Sequence, residues 1–338
     1  MTGKRARHSR LTRVNKAGLL LASVALAVVV AGCSSTTDKD PRTSSTADAE
    51  GLVTASSVDQ TQLAATVKRA LLADVPVSEL PPVVADAFAV ASEPLTDQQT
   101  ELLEKCLNQR SCDTGRGTLT VAINADFTNN PWWSIRRAEA TAQAIAYPQV
   151  KRIIFTSASS GDIAEVLANL RSLIAQQVDI IIEDPVFGAA ILPAAKQALA
   201  AGIIFVTANS PLPKEASSSV SVQLPYDLCA MGTSAVEQVV ADAGDRPKTY
   251  GLYTGVAGNA VASEWQPCVE EAMDAAGWKK EVSGFTQWTA QGETQAANEL
   301  LASGKDVSAM FYDYTNDAFL RPYIDAGETP PASFADTP

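Results

Sequence analysis

Between residues 117 and 211 the chain repeats one unit, a short run of β-branched and aromatic residues followed by a stretch of helical period. The runs are TLTVAI (118–123), RIIFT (152–156), VDIIIED (178–184) and GIIFVTAN (202–209). A strand that reaches the next through a helix must cross over, and such crossovers give parallel pairing. Ile180-Ile181-Ile182 and Ile203-Ile204-Phe205-Val206 are continuously apolar rather than alternating, which suits strands covered on both faces. Ile163, Leu167, Leu170 and Ile174 fall at i, i+4, i+7 and i+11 and predict one stripe of a helix lying on that sheet. In open α/β sheets, ligands bind beyond the carboxyl ends of the strands. Function is therefore expected at residues 124–133, at Asp184-Pro185 and at Asn209-Ser210-Pro211.

The start of the chain has a different character. Lys4, Arg5, Arg7, Arg10, Arg13 and Lys16 precede an apolar run over residues 18–30 that closes on Val30-Ala31-Gly32-Cys33. A basic region, an apolar core too short to span a bilayer and a small-residue cleavage site predict a secretory signal over residues 1–32. Losing those six basic residues from the 26 leaves 20 lysines and arginines against 38 acidic residues, a net charge near −18. Such a charge argues against nucleic acid or an anionic bilayer surface as a partner. Residues 33–59 are rich in Ser, Thr, Asp and Ala and predict a flexible tether. Residues 60–116 predict a helical extension, with amphipathic stretches at 63–72, 82–90 and 97–107 between proline-bearing turns.

The first lobe is expected over 117–210 and a crossing between lobes over 211–226, where Pro211, Pro213 and Ser217-Ser218-Ser219 interrupt the pattern. A second α/β unit is expected over 227–338. Its helices should start near 227, 265, 293 and 318, and its strands should run through 250–254, 281–286 and 309–312. Asp227 is placed to cap the first of these helices and Gly244 to stop it. Pro267 and Pro322 are expected to kink or shorten their helices. The chain ends on PPASFADTP, within or just after another strand, so this second lobe is expected to be incomplete.

Several chemistries are excluded by residue type. The only histidine is His8, inside the leader, which removes Ser-His-Asp, Cys-His and histidine-metal sites. No P-loop or GxGxxG opens a strand-to-helix turn, and TGVAGNA (254–260) reads as a tight turn. No cofactor, metal or catalytic residue is expected. Asp126, Asp184 and Asp313 would suffice for a glycosidase pair if they met in one cleft, but no other catalytic feature accompanies them, so they are read as acceptors for hydroxyl groups. Beyond Cys33 there are four cysteines, an even number that favours disulfides in an exported chain. Cys106 and Cys112 are near enough to clip a local loop, which leaves Cys229 with Cys268, either bonded or as two buried thiols. The positive signal is Asn129-Asn130-Pro131-Trp132-Trp133, just after the first strand, where paired indoles offer flat faces suited to the C–H face of a pyranose.

Asn-Asn-Pro-aromatic-aromatic in this position, with the strand and helix rhythm around it, resembles the type I periplasmic sugar-binding proteins of ABC transporters, the ribose-binding group in particular. The resemblance covers the chain from about Thr118 onward. CLNQRSCDTG (106–115) ahead of that lobe looks like exported actinobacterial members. Val-Ala-Gly-Cys looks like a lipobox, which implies cleavage before Cys33 and a lipid on its sulfur, holding the protein at the outer face of the cytoplasmic membrane. The resemblance implies a two-lobe α/β fold with parallel sheets, a sugar, expected to be a monosaccharide, bound between the lobes, and delivery by a monomer to ABC permease subunits. It places Asn130, Trp132 and Trp133 on the sugar, Asp184, Asn209 and Asp313 on hydroxyls, Asp313 falling in the segment after a later strand, and Trp288 as the stacking aromatic of the second lobe. Two departures stand out: Ser210 occupies the place of a fourth-strand arginine, and a second ligand-binding arginine falls near Ser263. Without that clamp, an amino-bearing ligand is the alternative to a neutral sugar. A sensor that docks on a receptor kinase is the alternative to a transport role.

Overall fold

A computed structural model describes residues 53–335, apart from 72, 159 and 160; the expected leader, Cys33 and most of the expected tether lie outside the described residues. Three helices come first: α1 (Gln60–Leu71), α2 (Pro82–Ser92) and α3 (Asp97–Leu107). α1 and α2 enclose a small core of Leu63, Val67 and Ala89, against which Val53, Ala55 and Val58 also pack. The last residues of the expected tether are thus folded, because their apolar side chains complete that core. α3 opens on a reciprocal cap in which Thr96 Oγ1 accepts from Gln99 N (3.3 Å) and Gln99 Oε1 from Thr96 N (2.9 Å).

The first lobe comprises β1 (Ser111–Asp113), β2 (Leu119–Ala125), α4 (Pro131–Ala146), β3 (Val150–Ser157), α5 (Ile163–Ala175), β4 (Ile180–Glu183), α6 (Leu192–Ala200), β5 (Ile204–Asn209) and β6 (Val222–Pro225). The sheet runs β1-β3-β2-β4-β5-β6, with β1 antiparallel and every other pairing parallel. Helices cover both faces, as the continuous apolar runs require. Ile181 and Phe205 pack with α5 and α6 on one side, and Val121, Ile123 and Ile153 pack with Ala144 and Ile145 of α4 on the other. On α5 the fully buried residues are Val166, Leu170 and Leu173, with Ile174 nearly so, while Ile163 and Leu167 are only partly buried. Its core face is therefore turned slightly from the stripe read off the sequence.

Two expected boundaries shift. Ser111–Asp113 leaves the helical extension to form an edge strand on β3, with Cys112 bonded to Cys106 at the end of α3. Segment 211–226 does not simply cross between lobes. It first buries Ala216 and Val220 in the first core and then adds β6 along β5, which would otherwise leave its backbone groups unpaired.

The second lobe comprises α7 (Leu228–Ser234), α8 (Val236–Ala243), β7 (Thr249–Thr254), α9 (Ala260–Ala275), β8 (Lys279–Phe285), α10 (Ala290–Ser303), β9 (Ala309–Tyr312), α11 (Asp317–Ala326) and β10 (Ala332–Ala335). Its parallel sheet runs β10-β9-β7-β8. Asp227 Oδ1 caps α7 by accepting from Ala230 N (2.9 Å), and Gly244 ends α8 at φ +62°. The single helix expected over 227–243 breaks at Ala235. α7 is bound to α9 by the Cys229–Cys268 disulfide, and Gly232 lets it approach Val269 and Trp265 closely. Pro267 and Pro322 lie inside α9 and α11, which run past them. In α9 the buried Trp265 and Val269 flank the proline and hold both halves on the sheet, which offsets the lost hydrogen bond.

Candidate functional site between the lobes

Asn130 ends the loop after β2 and caps α4, its Oδ1 accepting from Trp133 N (3.3 Å), with Pro131 at the first helical position. That cap fixes where the tryptophan pair starts its helix, at the carboxyl end of the sheet. Trp133 is buried, stacked 5.9 Å from Phe127, whereas Trp132 is half-buried and meets Trp133 edge-on at 4.8 Å. One turn along α4, the guanidinium carbon of Arg136 lies 5.9 and 5.5 Å from the two ring centroids, and its Nε lies 3.8 Å from Asp184 Oδ2.

Asp126, Glu183 and Asp184 are fully buried at neighbouring strand ends. Asp184 Oδ1 accepts from Ser210 Oγ (2.6 Å) and Ser210 N (3.3 Å), and its Oδ2 from Asn209 Nδ2 (3.1 Å). Asn209 sits at φ +66°, a left-handed backbone that asparagine tolerates better than most residues. Behind it, Asn124 Nδ2 donates to Glu183 Oε2 (2.7 Å), and Val186 N donates to Asp126 Oδ2 (3.1 Å). Burial raises all three carboxyl groups above their usual range, Glu183 to about 7, and the charge of Arg136 works in the opposite direction on Asp184. Asp126 Oδ1 and Glu183 Oε1 are buried with no donor of their own, and the nearby Glu183 adds to burial in raising Asp126.

The second wall is built on one carboxylate. Asp313, just past β9, accepts from Trp288 Nε1 at Oδ1 (2.8 Å), and from Thr254 Oγ1 (2.5 Å) and Trp265 Nε1 (3.1 Å) at Oδ2. Burial raises it to about 6 against the lowering effect of those bonds. Trp288 holds a left-handed backbone, φ +49°, uncommon for so large a residue, and its ring lies where a side chain on Gly255 would stand. TGVAGNA is the turn expected of it, with Asn259 capping α9 through Ala262 N (2.8 Å) and donating Nδ2 to Thr254 Oγ1 (2.9 Å). Ser263 returns its hydroxyl to Asn259 O (3.0 Å) within α9.

The lobes meet directly. Asn129 Nδ2 donates to Gln287 O (2.8 Å), Asn130 Nδ2 to Trp288 O (3.1 Å) and Ala260 N to Val186 O (2.8 Å), while Phe127 meets Trp288 edge-on at 5.4 Å. Between them lies a cleft of about 710 Å³. Asn130, Trp132, Trp133, Val186 and Asn209 line it from the first lobe, and Trp288, Asp313, Tyr314, Val261, Phe334 and α7 from the second. Six of the eight residues singled out by sequence are on its walls; Asp184 and Ser210 lie behind them, bonded to each other. Sequence reasoning missed Arg136, Phe127 and Trp265, and also Leu71, which reaches the cleft from α1. Arg136 had a usable signal, its spacing of one turn from Trp132 and Trp133; the others acquire their places only through packing. Among the described residues no cluster of histidine, cysteine or carboxylate side chains is arranged to hold a metal ion, and no helix is long and apolar enough to cross a membrane.

Comparison with known proteins agrees with this architecture. A family model described as a periplasmic binding protein domain matches residues 121–328. No curated protein matches the chain in sequence. Among solved structures, the chain is similar to an ABC transporter solute-binding protein from Agrobacterium vitis with bound D-fucose, with 21% identity over 62% of this chain and 73% of that one and a TM-score of 0.56. A Mycobacterium smegmatis protein in complex with β-D-fucofuranose aligns at 18% identity over 65% and 73%, with a TM-score of 0.57. A galactofuranose-binding protein aligns at 18% over 65% and 76%, with a TM-score of 0.56. At these identities the likeness is one of fold, the two-lobe α/β arrangement expected from the sequence. With its family model spanning strands and helices of both lobes, the chain belongs to the periplasmic binding protein domain family.

Proposed function

We propose that this is an extracytoplasmic solute-binding protein, anchored by a lipid on Cys33, that captures a small sugar between its lobes and delivers it as a monomer to an ABC permease. The observation that carries this reading is a cleft walled by indoles from both lobes, with amides and a carboxylate set among them. Trp132, the more exposed of the pair, supplies a stacking face, and Trp288 approaches from the second lobe with its ring oriented by Asp313. The carboxamides of Asn129 and Asn130 bridge to the second lobe and hold the closed form around a ligand. Solved proteins of the same fold carry D-fucose and β-D-fucofuranose, which supports a sugar.

A neutral sugar fits better than an amino-bearing ligand. Arg136 already lies over the rings of the tryptophan pair, where a ligand cation would have to compete with it. Among the described residues lining the cleft none pairs a nucleophile with a base, and the reading is of binding without turnover. The test is intrinsic tryptophan fluorescence of the mature chain, made soluble by Cys33→Ser, titrated with D-fucose, D-galactose, D-ribose and L-rhamnose. A saturable change with one sugar, weakened at least tenfold by Trp132→Ala and by Trp288→Ala, supports the site. Affinity untouched by both substitutions would place the ligand elsewhere.

A further inference from the structure

The cleft has a wall that does not come from the lobes. Leu71, the last residue of α1, lines it, although the family match begins only at residue 121. Tyr226, Met231 and Phe334 line the same cleft, and Leu71 and Tyr226 are 42% and 62% exposed. Apolar side chains scattered singly over a surface mean little, but several gathered on one cleft call for an apolar partner.

The polar groups of the cleft are largely engaged already. Asn130 uses Oδ1 on Trp133 N and Nδ2 on Trp288 O. Asp313 receives three donors, Asn209 gives Nδ2 to Asp184, Ser234 gives its hydroxyl to Met231 O (2.8 Å) and Asp227 caps α7. Beyond the hydroxyls of Tyr226 and Tyr314 and the indole N–H of Trp132, hydroxyl groups spread along the whole cleft would find few partners for the water they lose, an unfavourable exchange. A volume of about 710 Å³ is also in the range that encloses ligands larger than one sugar ring.

We propose that the ligand is a sugar bearing an apolar substituent, its ring held at Trp132 and Trp288 and its substituent lying against Leu71, Tyr226, Met231 and Phe334. The helical extension thereby sets specificity by completing the subsite for the substituent. This inference rests on the sugar-binding reading above. It is tested on the mature chain carrying Cys33→Ser by fluorescence titration with the methyl and hexyl glycosides of D-fucose, D-galactose and D-glucose. The hexyl form of the recognised sugar is expected to bind at least tenfold more tightly than its methyl form. Leu71→Asp, and separately Tyr226→Ser, are expected to bring that ratio near one; both positions are exposed enough for the variants to fold. Methyl and hexyl glycosides of equal affinity, or a hexyl preference that survives both substitutions, would overturn the subsite while the sugar reading stands. Failure of every glycoside and free sugar to bind would overturn the sugar reading, and the subsite with it.

Discussion

Asp184 and Asp313 occupy equivalent stations, each buried just past the carboxyl end of a parallel strand, Asp313 on the cleft wall and Asp184 behind it, yet the two lobes surround them differently. The first lobe gathers Asp126, Glu183 and Asp184 at neighbouring strand ends, with the guanidinium of Arg136 beside Asp184. The second sets a single carboxylate on two indole N–H groups and a hydroxyl. Neutral donors stabilise one charge and orient the rings that supply them. A cation beside several acids makes a wall whose charge depends on pH. The second wall is thus built on indoles around one acid, and the first on a cation beside a cluster of three.

The largest break in this comparison is Asp313→Ala, which strands three buried donors at once. A loss of about 3–5 kcal/mol is expected from urea unfolding, together with a weaker near-ultraviolet dichroism from Trp265 and Trp288. A wild-type midpoint would show that the network does not hold the second wall. Arg136→Leu is next. Removing the cation from beside the acids should cost about 2–3 kcal/mol at pH 8 and much less at pH 5, where the carboxyl groups take up protons. A loss independent of pH would mean that Arg136 matters through packing on the tryptophans alone.

The pH dependence of the unmodified chain has contributions from both lobes. Glu183 is raised to about 7 and Asp313 to about 6, as is Glu293 to about 7 where it is buried at the start of α10. A carboxyl group raised in the folded state contributes stability that is fully present below its unfolded value and is lost as pH rises through its folded value. Thermal stability should thus fall from pH 5 to pH 8, with a limiting slope of about 1.4 kcal/mol per pH unit for each extra proton held by the folded state. Glu183→Gln should flatten that fall, and an unchanged profile would argue against a titrating first wall. The smallest effect belongs to Asn129→Ala. Its amide is exposed, so the lost bond to Gln287 O should cost only about 0.5–1 kcal/mol in stability, and should appear mainly as faster ligand release in stopped-flow fluorescence.

Much of the site was legible because it sits at strand ends, and strand ends follow from apolar runs. Asn130, the tryptophan pair, Asn209 and Asp313 were found that way. Asp184 and Ser210 were located equally well, but their depth was not readable. Whether a side chain at a strand end faces the cleft or turns behind it depends on the neighbouring strand, here β5 offering Asn209 and Ser210 as donors. Trp265 gave no signal, since nothing local marks a helical tryptophan, 48 residues before Asp313, as its hydrogen-bond partner. β6 was hidden among prolines and serines, and Ser111–Asp113 is too short to show a period.

What this chain's sequence determined by itself is what short-range physics decides. Apolar runs and the helical period between them make parallel strands and crossover helices, and Asn130, Asp227 and Gly244 set helix ends. What only the tertiary structure decided are the long-range pairings. These are the bond that joins Cys229 to Cys268, the gathering of Asp126, Glu183 and Asp184 at one place, the clasp of two tryptophans on Asp313, and the arrival of Leu71 at the cleft. Each joins residues far apart in the chain, and only packing of the lobes and the helical extension brings them within contact distance.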